Sequence, residues 1–299
     1  MFEFKGQKRV FDIAKVKIGG QPGQLPTVLI GSIFYHGHNI VKDEKRGSFE
    51  REKAEDLINR QDCFSEKTGN PCMIDVVGAT PEALRKYIDF VSSKTEAPIL
   101  VDGITASNNI AGLKYAVETG LINRIVYNSL TLQYKQAEIE KIREVGLDCA
   151  VLLAFNTRDL SSRGRVTAIK ELLTIANNAG VTKPLIDTCV LDIPSLGLAC
   201  QALFNLKTEF GLPVGCGAHN AISTWKGLKT KMGKQAVKPC LASANVMPVV
   251  AGANFILYGP VESADFVFPA VAMVDAAYAQ TAIERGEKPA LGHPIFRIA

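Results

Sequence analysis

Eight short runs rich in valine, isoleucine and leucine, separated by longer segments of helical period and by recurring glycine stops, predict an α/β fold whose units close into a (β/α)8 (TIM) barrel. The length of 299 residues suits one such barrel, about 250 residues in its usual form, with extensions at both ends. No Gly/Ser/Pro-rich linker and no shift of composition divides the chain. Residues 1–299 are therefore expected to form a single domain.

The candidate strands, in order, are TVLIGSIFY (27–35), CMIDVVG (72–78), PILVDGI (98–104), RIVYNSL (124–130), CAVLLAFN (149–156), PLIDTCVL (184–191), LPVGCG (212–217) and ANFILYGP (253–260). The clearest helix follows the second strand. In ATPEALRKYIDFVSSKT, Thr80 can cap, Pro81 suits the first helical position, and Ala83, Leu84, Tyr87, Ile88 and Val91 form one apolar stripe. VETGLINR, REVGLDC, NAGVTKP and EFGLPVG each place glycine where a helix would stop, a few residues before the next strand. Residues 1–26 read as an N-terminal extension plugging the barrel from below. Residues 286–299 read as a C-terminal tail lying on a neighbouring subunit. GGQPG (19–23) lacks the lysine, the preceding strand and the following helix of a phosphate loop, and reads as a turn.

Composition narrows the class of function. Hydrophobic residues make up 47% and charged residues 21%, enough for a large core. A net charge of +4, from 34 basic and 30 acidic residues read as dispersed along the chain, argues against a nucleic-acid partner. The seven cysteines are odd in number and show no Cys-x-x-Cys spacing, so they read as reduced, buried thiols rather than disulfides or a zinc site. The N-terminus lacks the apolar core of a signal peptide. The apolar stretch 266–279 is interrupted by Pro269 and Asp275 and is too short to span a bilayer. A cytoplasmic protein without membrane insertion is expected.

In this fold the active site lies at the C-terminal ends of the strands. Those positions hold His36, His38 and Asn39, then Asp75, Asp102, Asn128, Asn156, Asp187, His219 with Asn220, and Glu262. The His-x-His pair could be half of a metal site, yet the strand-five and strand-six ends (AFNTRD, IDTCVLD) supply no further histidine, so no bound metal is expected. No serine sits in a Gly-x-Ser-x-Gly elbow, and Cys216 shows no cationic neighbour in the sequence, which leaves covalent catalysis unsupported. A ring of aspartates and asparagines suits a flat heterocycle with paired N–H donors and a carbonyl, such as a pterin. Capping of the following loops by Asp102 and Asp187 is the alternative for either residue alone.

The segments KIGGQPG (17–23), TVLIGSIFYHG (27–37), DEK (43–45), Asp187, PVGCGAHN (213–220) and YGPVESADFVFPAVA (258–272) resemble the family of the H subunit of tetrahydromethanopterin S-methyltransferase. The similarity runs over nearly the whole chain. It is shared with bacterial methylcorrinoid protein:tetrahydrofolate methyltransferases, within a wider pterin-binding group that includes the dihydropteroate synthases. The resemblance implies a dihydropteroate-synthase-like barrel in which Asp102 and Asp187 hold the pterin edge, Asn128 helps orient it, and Asn220 is the catalytic amide beside the N5 nitrogen. Asp75, Asn156 and Asp43 are further candidates, and the roles of His36, His38 and His219 stay open. It also implies methyl transfer between N5 of a tetrahydropterin and a methylcobalamin carried by a partner corrinoid protein docked at the barrel mouth. Tetrahydrofolate is the expected pterin and tetrahydromethanopterin the other choice, and a homodimer is expected. A docking subunit of a larger, membrane-attached complex is the alternative. A dihydropteroate synthase would carry Asn-x-Thr-x-Asp-Ser-Phe after strand one, where this chain has Phe-Tyr-His-Gly-His-Asn.

Overall fold

Strands form at all eight expected places: β1 (Val28–Ile33), β2 (Cys72–Gly78), β3 (Ile99–Gly103), β4 (Ile125–Leu130), β5 (Cys149–Leu153), β6 (Lys183–Asp187), β7 (Val214–Cys216) and β8 (Phe255–Pro260). In this computed structural model, which describes residues 3–299, they pair in parallel and in chain order, and β8 closes on β1. Several strands are shorter than the apolar runs that announced them. The first run ends at Phe34, whose φ of 63° turns the chain out of the sheet, and the sixth is broken by Cys189 at φ 59°.

The helices are α1 (Arg51–Thr68), α2 (Pro81–Ser92), α3 (Ala106–Glu118), α4 (Gln136–Glu144), α5 (Ser162–Asn178), α6 (Ile193–Phe210), the single turn α7 (Asn220–Ser223), α8 (Val237–Val250) and α9 (Ala264–Glu284). At α2, Thr80 Oγ1 accepts a hydrogen bond from the Ala83 N–H at 3.1 Å, and the predicted stripe is buried. The glycine stops behave as the sequence requires: Gly120, Gly146, Gly180 and Gly211 have φ of 71°, 66°, 89° and 64°.

Strand side chains alternate between two cores. Leu29, Ile74, Val76, Ile99, Val101, Ile125, Tyr127, Leu152 and Ile186 face outwards and pack under the helices. Val28, Ile30, Met73, Leu100, Val126, Val151, Leu185 and Phe255 fill the barrel itself. The filling is completed from below by a hairpin, Val10–Ile13 with Val16–Gly19, whose Ile13 and Ile18 join this inner cluster. At the same end the buried Asp275 of α9 accepts hydrogen bonds from Thr27 N, Thr27 Oγ1 and Asn70 Nδ2, at 2.7–2.8 Å, and so ties the start of β1 to the outer layer.

Two expectations change. Residues 286–299, expected to lie on a neighbouring subunit, pack on their own chain. The Ala290 N–H donates to Gln24 O at 3.0 Å, His293 is buried, and the Gly292 carbonyl packs so closely on Gly69 that a Cβ there would come within 2.2 Å. The apolar stretch near residue 270 belongs to a longer helix than expected, because Pro269 sits inside α9 without ending it and the hydrogen-bonding capacity of Asp275 is met by its three donors. With its leading turn, Val261–Glu284 is long and apolar enough to cross a membrane, and half of its most apolar window is buried against the barrel.

Candidate functional site

The inward phase of each strand changes character within two residues. Ile30, Met73, Leu100, Val126 and Leu185 lie in the inner apolar core. One step further along the same face come Ser32, Asp75, Asp102, Asn128 and Asp187. Register places Ser32 beside Asp75 and Asp102 beside Asn128 on neighbouring strands. A polar layer therefore crowns the apolar filling at the C-terminal mouth.

Asp75 is buried and both of its oxygens are occupied. Oδ2 accepts from Ser32 Oγ at 2.7 Å and Oδ1 from Asn128 Nδ2 at 3.0 Å. Burial pushes its carboxyl up to about 6, against the pull of these two donors. The same contact fixes the Asn128 amide, with Nδ2 held by Asp75 and Oδ1 left as an acceptor. Asp102 is partly open to the mouth, and no group of the described chain donates to it. Its carboxyl is driven well above the usual carboxylate range, first by removal from water and second by the charge of Asp75. Such a pair retains a proton at pH values where isolated aspartates are ionised.

Asp187 closes the layer from the other side. Its Oδ1 accepts from Cys189 N at 2.7 Å. Burial raises its carboxyl to about 6, while the N–H groups of Cys189 and Gly217 and the charge of Arg165 pull the other way. Arg165, on α5, is itself buried and held by the carbonyls of Thr188 and Cys189 at 2.9 and 3.1 Å. Asn220 opens α7 just above. Its amide nitrogen lies 3.2 Å from where a Cβ on Gly217 would sit, and its side chain has no hydrogen-bond partner among the described residues. His219 meets Leu257 O through Nδ1 at 3.0 Å, and a carbonyl there requires Nδ1–H, leaving Nε2 as an acceptor. Burial lowers its pKa. Gly259, at φ 93°, is needed beside it, since a Cβ would come 2.6 Å from the imidazole.

The remaining candidates lie elsewhere. Asn156 is bound into its own loop, accepting from Arg158 N at 3.0 Å and donating to Gly164 O at 3.3 Å. Asp43 caps a surface turn through the N–H groups of Lys45 and Arg46. The opening histidines diverge. His36 is exposed and pairs with Glu44 at 2.9 Å. His38 is buried, stacks on Tyr35 with ring centroids 4.3 Å apart, accepts from Phe34 N through Nδ1, and so donates from Nε2 to Glu262 at 2.8 Å. Among the described residues no group of three or more His, Cys, Asp or Glu side chains is arranged to hold a metal ion. Cys216 is fully buried, and burial together with Asp187 raises its thiol pKa far above the ordinary value.

Sequence reasoning missed Ser32, Arg165 and the partnership of His38 with Glu262. Ser32 was legible, since it follows Ile30 by two in the inward phase. Arg165 gave no local signal, and His38 and Glu262 lie 224 residues apart.

A hollow of about 550 Å³ between α2 and α3, lined by Pro81, Arg85 and Tyr115, lies on the outer face and includes none of these groups. A second, of about 440 Å³, opens at the mouth beside His219 and α7.

Comparison with known proteins gives concordant results. The family model described as tetrahydromethanopterin S-methyltransferase MtrH subunit matches residues 6–289. The chain is 41% identical, over the full length of both proteins, to the H subunit of tetrahydromethanopterin S-methyltransferase from Methanothermobacter thermautotrophicus. It is 39% identical, again over both full lengths, to the corresponding H subunit from Methanocaldococcus jannaschii. Among solved structures, the Yersinia pestis dihydropteroate synthase with a pterine-sulfa conjugate superposes with a TM-score of 0.65 at 13% identity, covering 91% of this chain and all of that one. The Xanthomonas albilineans dihydropteroate synthase with 4-aminobenzoic acid gives 0.57 at 18% identity, covering 92% and 98%. These two establish a shared barrel fold.

Proposed function

The chain belongs to the MtrH family of tetrahydromethanopterin S-methyltransferase subunits, and on that premise we propose that its polar layer binds the ring of a tetrahydropterin and that the protein transfers a methyl group between the N5 nitrogen and a corrinoid. The observation that carries this reading is the layer itself: Asp102, Asn128 and Asp187 point acceptors into one mouth, and the Asn220 amide stands unpaired at its edge.

A pterin edge presents adjacent N–H donors, which a carboxylate can accept together. Asp187 and Asp102 take these positions, and hydrogen bonds to a charged group contribute about 1.5–3 kcal/mol each. Asn128 offers Oδ1 because Asp75 holds its other end, so Asp75 and Ser32 act as positioning residues. Asn220 lies at N5, where its amide stabilises the charge that changes during transfer without exchanging a proton itself. Asn156 shapes the loop over the mouth. The corrinoid supplies the methyl donor or acceptor and is carried by a partner protein docked at the mouth. For this chain the main contribution is alignment, which supplies about 7–11 kcal/mol of barrier reduction when reacting atoms are held in register.

The relatives' names favour tetrahydromethanopterin and a role as one subunit of a larger methyltransferase. The chain spans those relatives end to end. Tetrahydrofolate shares the ring that the layer reads and remains the second substrate to test. A cytoplasmic setting and a homodimer are part of the same reading.

The test is an anaerobic assay of the purified chain with methylated tetrahydromethanopterin or methylated tetrahydrofolate and cob(I)alamin, followed by the cobalamin spectrum. Formation of methylcobalamin that is lost in Asn220→Ala supports the reading. Absence of transfer from both pterins, alone and with a corrinoid protein supplied, would overturn it.

A further inference from the structure

The net charge of the chain is localised rather than dispersed. From residue 210 to residue 261 there is no aspartate or glutamate, and the segment holds Lys226, Lys229, Lys231, Lys234 and Lys238. Removing these five leaves 29 basic against 30 acidic residues for the rest of the protein, so the whole excess of +4 resides here. The lysines sit on the connection between β7 and α8, a βα loop at the mouth, where barrels commonly bind anions. All five are exposed, and of them only Lys238 has an acidic partner among the described residues, Asp265 at 3.4 Å.

The mouth hollow of about 440 Å³ gives these charges a shape. Its walls include His219, Ile222, Trp225, Lys226, Lys229 and Pro260. The partly buried Trp225 indole and the Lys226 stem also line a second hollow of about 410 Å³ that continues towards Lys231. Ile222 belongs to α7, the same single turn that Asn220 begins, so the hollow starts where the proposed N5 position ends.

We propose that the hollow between α7 and the β7–α8 loop binds the anionic tail of the tetrahydropterin, with the aryl linker against Trp225 and the terminal carboxylate or phosphate on Lys226 and Lys229. This rests on the pterin reading of the polar layer. Tetrahydrofolate and tetrahydromethanopterin both carry an aryl group and, further along the tail, acidic groups, and they differ in what joins the two, so a site that reads the tail is where they would be distinguished. The apolar wall matches the linker and the ammonium groups match the end; the adjoining hollow carries one acid, Asp192, and neither Lys226 nor Lys229 is paired with an acid among the described residues, which leaves their charges available.

The experiment compares three ligands by anaerobic calorimetry: tetrahydromethanopterin, tetrahydrofolate and the tail-less 6-methyltetrahydropterin, on the wild-type chain and on Lys226→Glu/Lys229→Glu. The charge reversal is expected to weaken the tailed ligand by about tenfold or more, as two lost charge-assisted contacts would, and to flatten the salt dependence of its binding. Affinity for 6-methyltetrahydropterin should not change. Trp225→Ala should likewise weaken only the tailed ligands. Equal weakening of tailed and tail-less pterins, or of neither, overturns the tail site while the ring site stands. Failure of all three ligands to bind the wild-type chain overturns the ring reading instead. A loss confined to tetrahydromethanopterin assigns the lysines to phosphate, and a loss for both assigns them to carboxylate.

Discussion

The two ends of the barrel's interior are built on the same strands, two residues apart, and do opposite things. At the bottom, Val28, Ile30, Met73, Leu100, Val126, Leu185 and Phe255 bury apolar surface against the hairpin's Ile13 and Ile18. At the top, the next inward positions are Ser32, Asp75, Asp102, Asn128 and Asp187. The contrast is sharpest between two aspartates. Asp275, at the lower end, has a carboxyl raised to about 6 and three donors from Thr27 and Asn70. Asp102, at the upper end, also has its carboxyl raised well above the ordinary range, by burial and by Asp75, and accepts nothing from the described chain. Burial alone therefore does not mark a functional acid. A buried acid whose hydrogen bonds are complete is structural, and one left without donors at a mouth is set up for a ligand.

Breaking the lower end should affect folding alone. Phe255→Ala removes a fully buried ring and is expected to lower unfolding free energy by about 3–5 kcal/mol, read from a denaturant midpoint, with pterin affinity of the folded fraction unchanged. At the upper end the effects should invert. Asn220→Ala is expected to slow single-turnover methyl transfer by roughly a hundredfold, the loss typical of one charge-stabilising donor, with a much smaller change in pterin dissociation constant. Asp102→Asn should weaken pterin binding by about 1.5–3 kcal/mol and at the same time raise thermal stability at pH 7, because it removes a carboxylate that the fold disfavours. Ser32→Ala should be milder still, about 1 kcal/mol in affinity, acting through Asp75 and the orientation of Asn128. Retention of full affinity in Asp102→Asn would erase the distinction between the two aspartates.

The raised carboxyls also give the ligand-free protein an unusual pH dependence. For Asp75, Asp187 and Asp275 the folded value of about 6 exceeds the unfolded value of 3.8. The folded state then binds more protons than the unfolded one between these limits, so this contribution is full below pH 4 and is lost as pH rises through 6. Unfolding measured at pH 5 and pH 7 should show these groups favouring the lower pH, and Asp275→Asn should reduce the difference.

Much of this was legible in the sequence, for a physical reason. Strand alternation and glycine stops are local, so all eight strands and the four glycine-ended helices could be read from a few neighbouring residues. The strand-end rule then located Asp75, Asp102, Asn128, Asp187 and Asn220. What stayed hidden was long-range. The His38–Glu262 contact, the Arg165 clasp beneath Asp187 and the occupation of Asn156 by its own loop depend on which segments meet around the mouth. Charge was misread for a different reason: a whole-chain total conceals an acid-free run of residues 210–261.

The most direct test of the division between a structural floor and a ligand-reading crown is calorimetric titration of the wild-type chain with tetrahydromethanopterin at pH 6, anaerobically, in two buffers of different ionisation enthalpy. Ligand N–H donors favour ionised carboxylates, so one-site saturable binding with net release of protons from Asp102 and Asp187 is expected. No binding, or binding without proton release that persists in Asp102→Asn and Asp187→Asn, would contradict it.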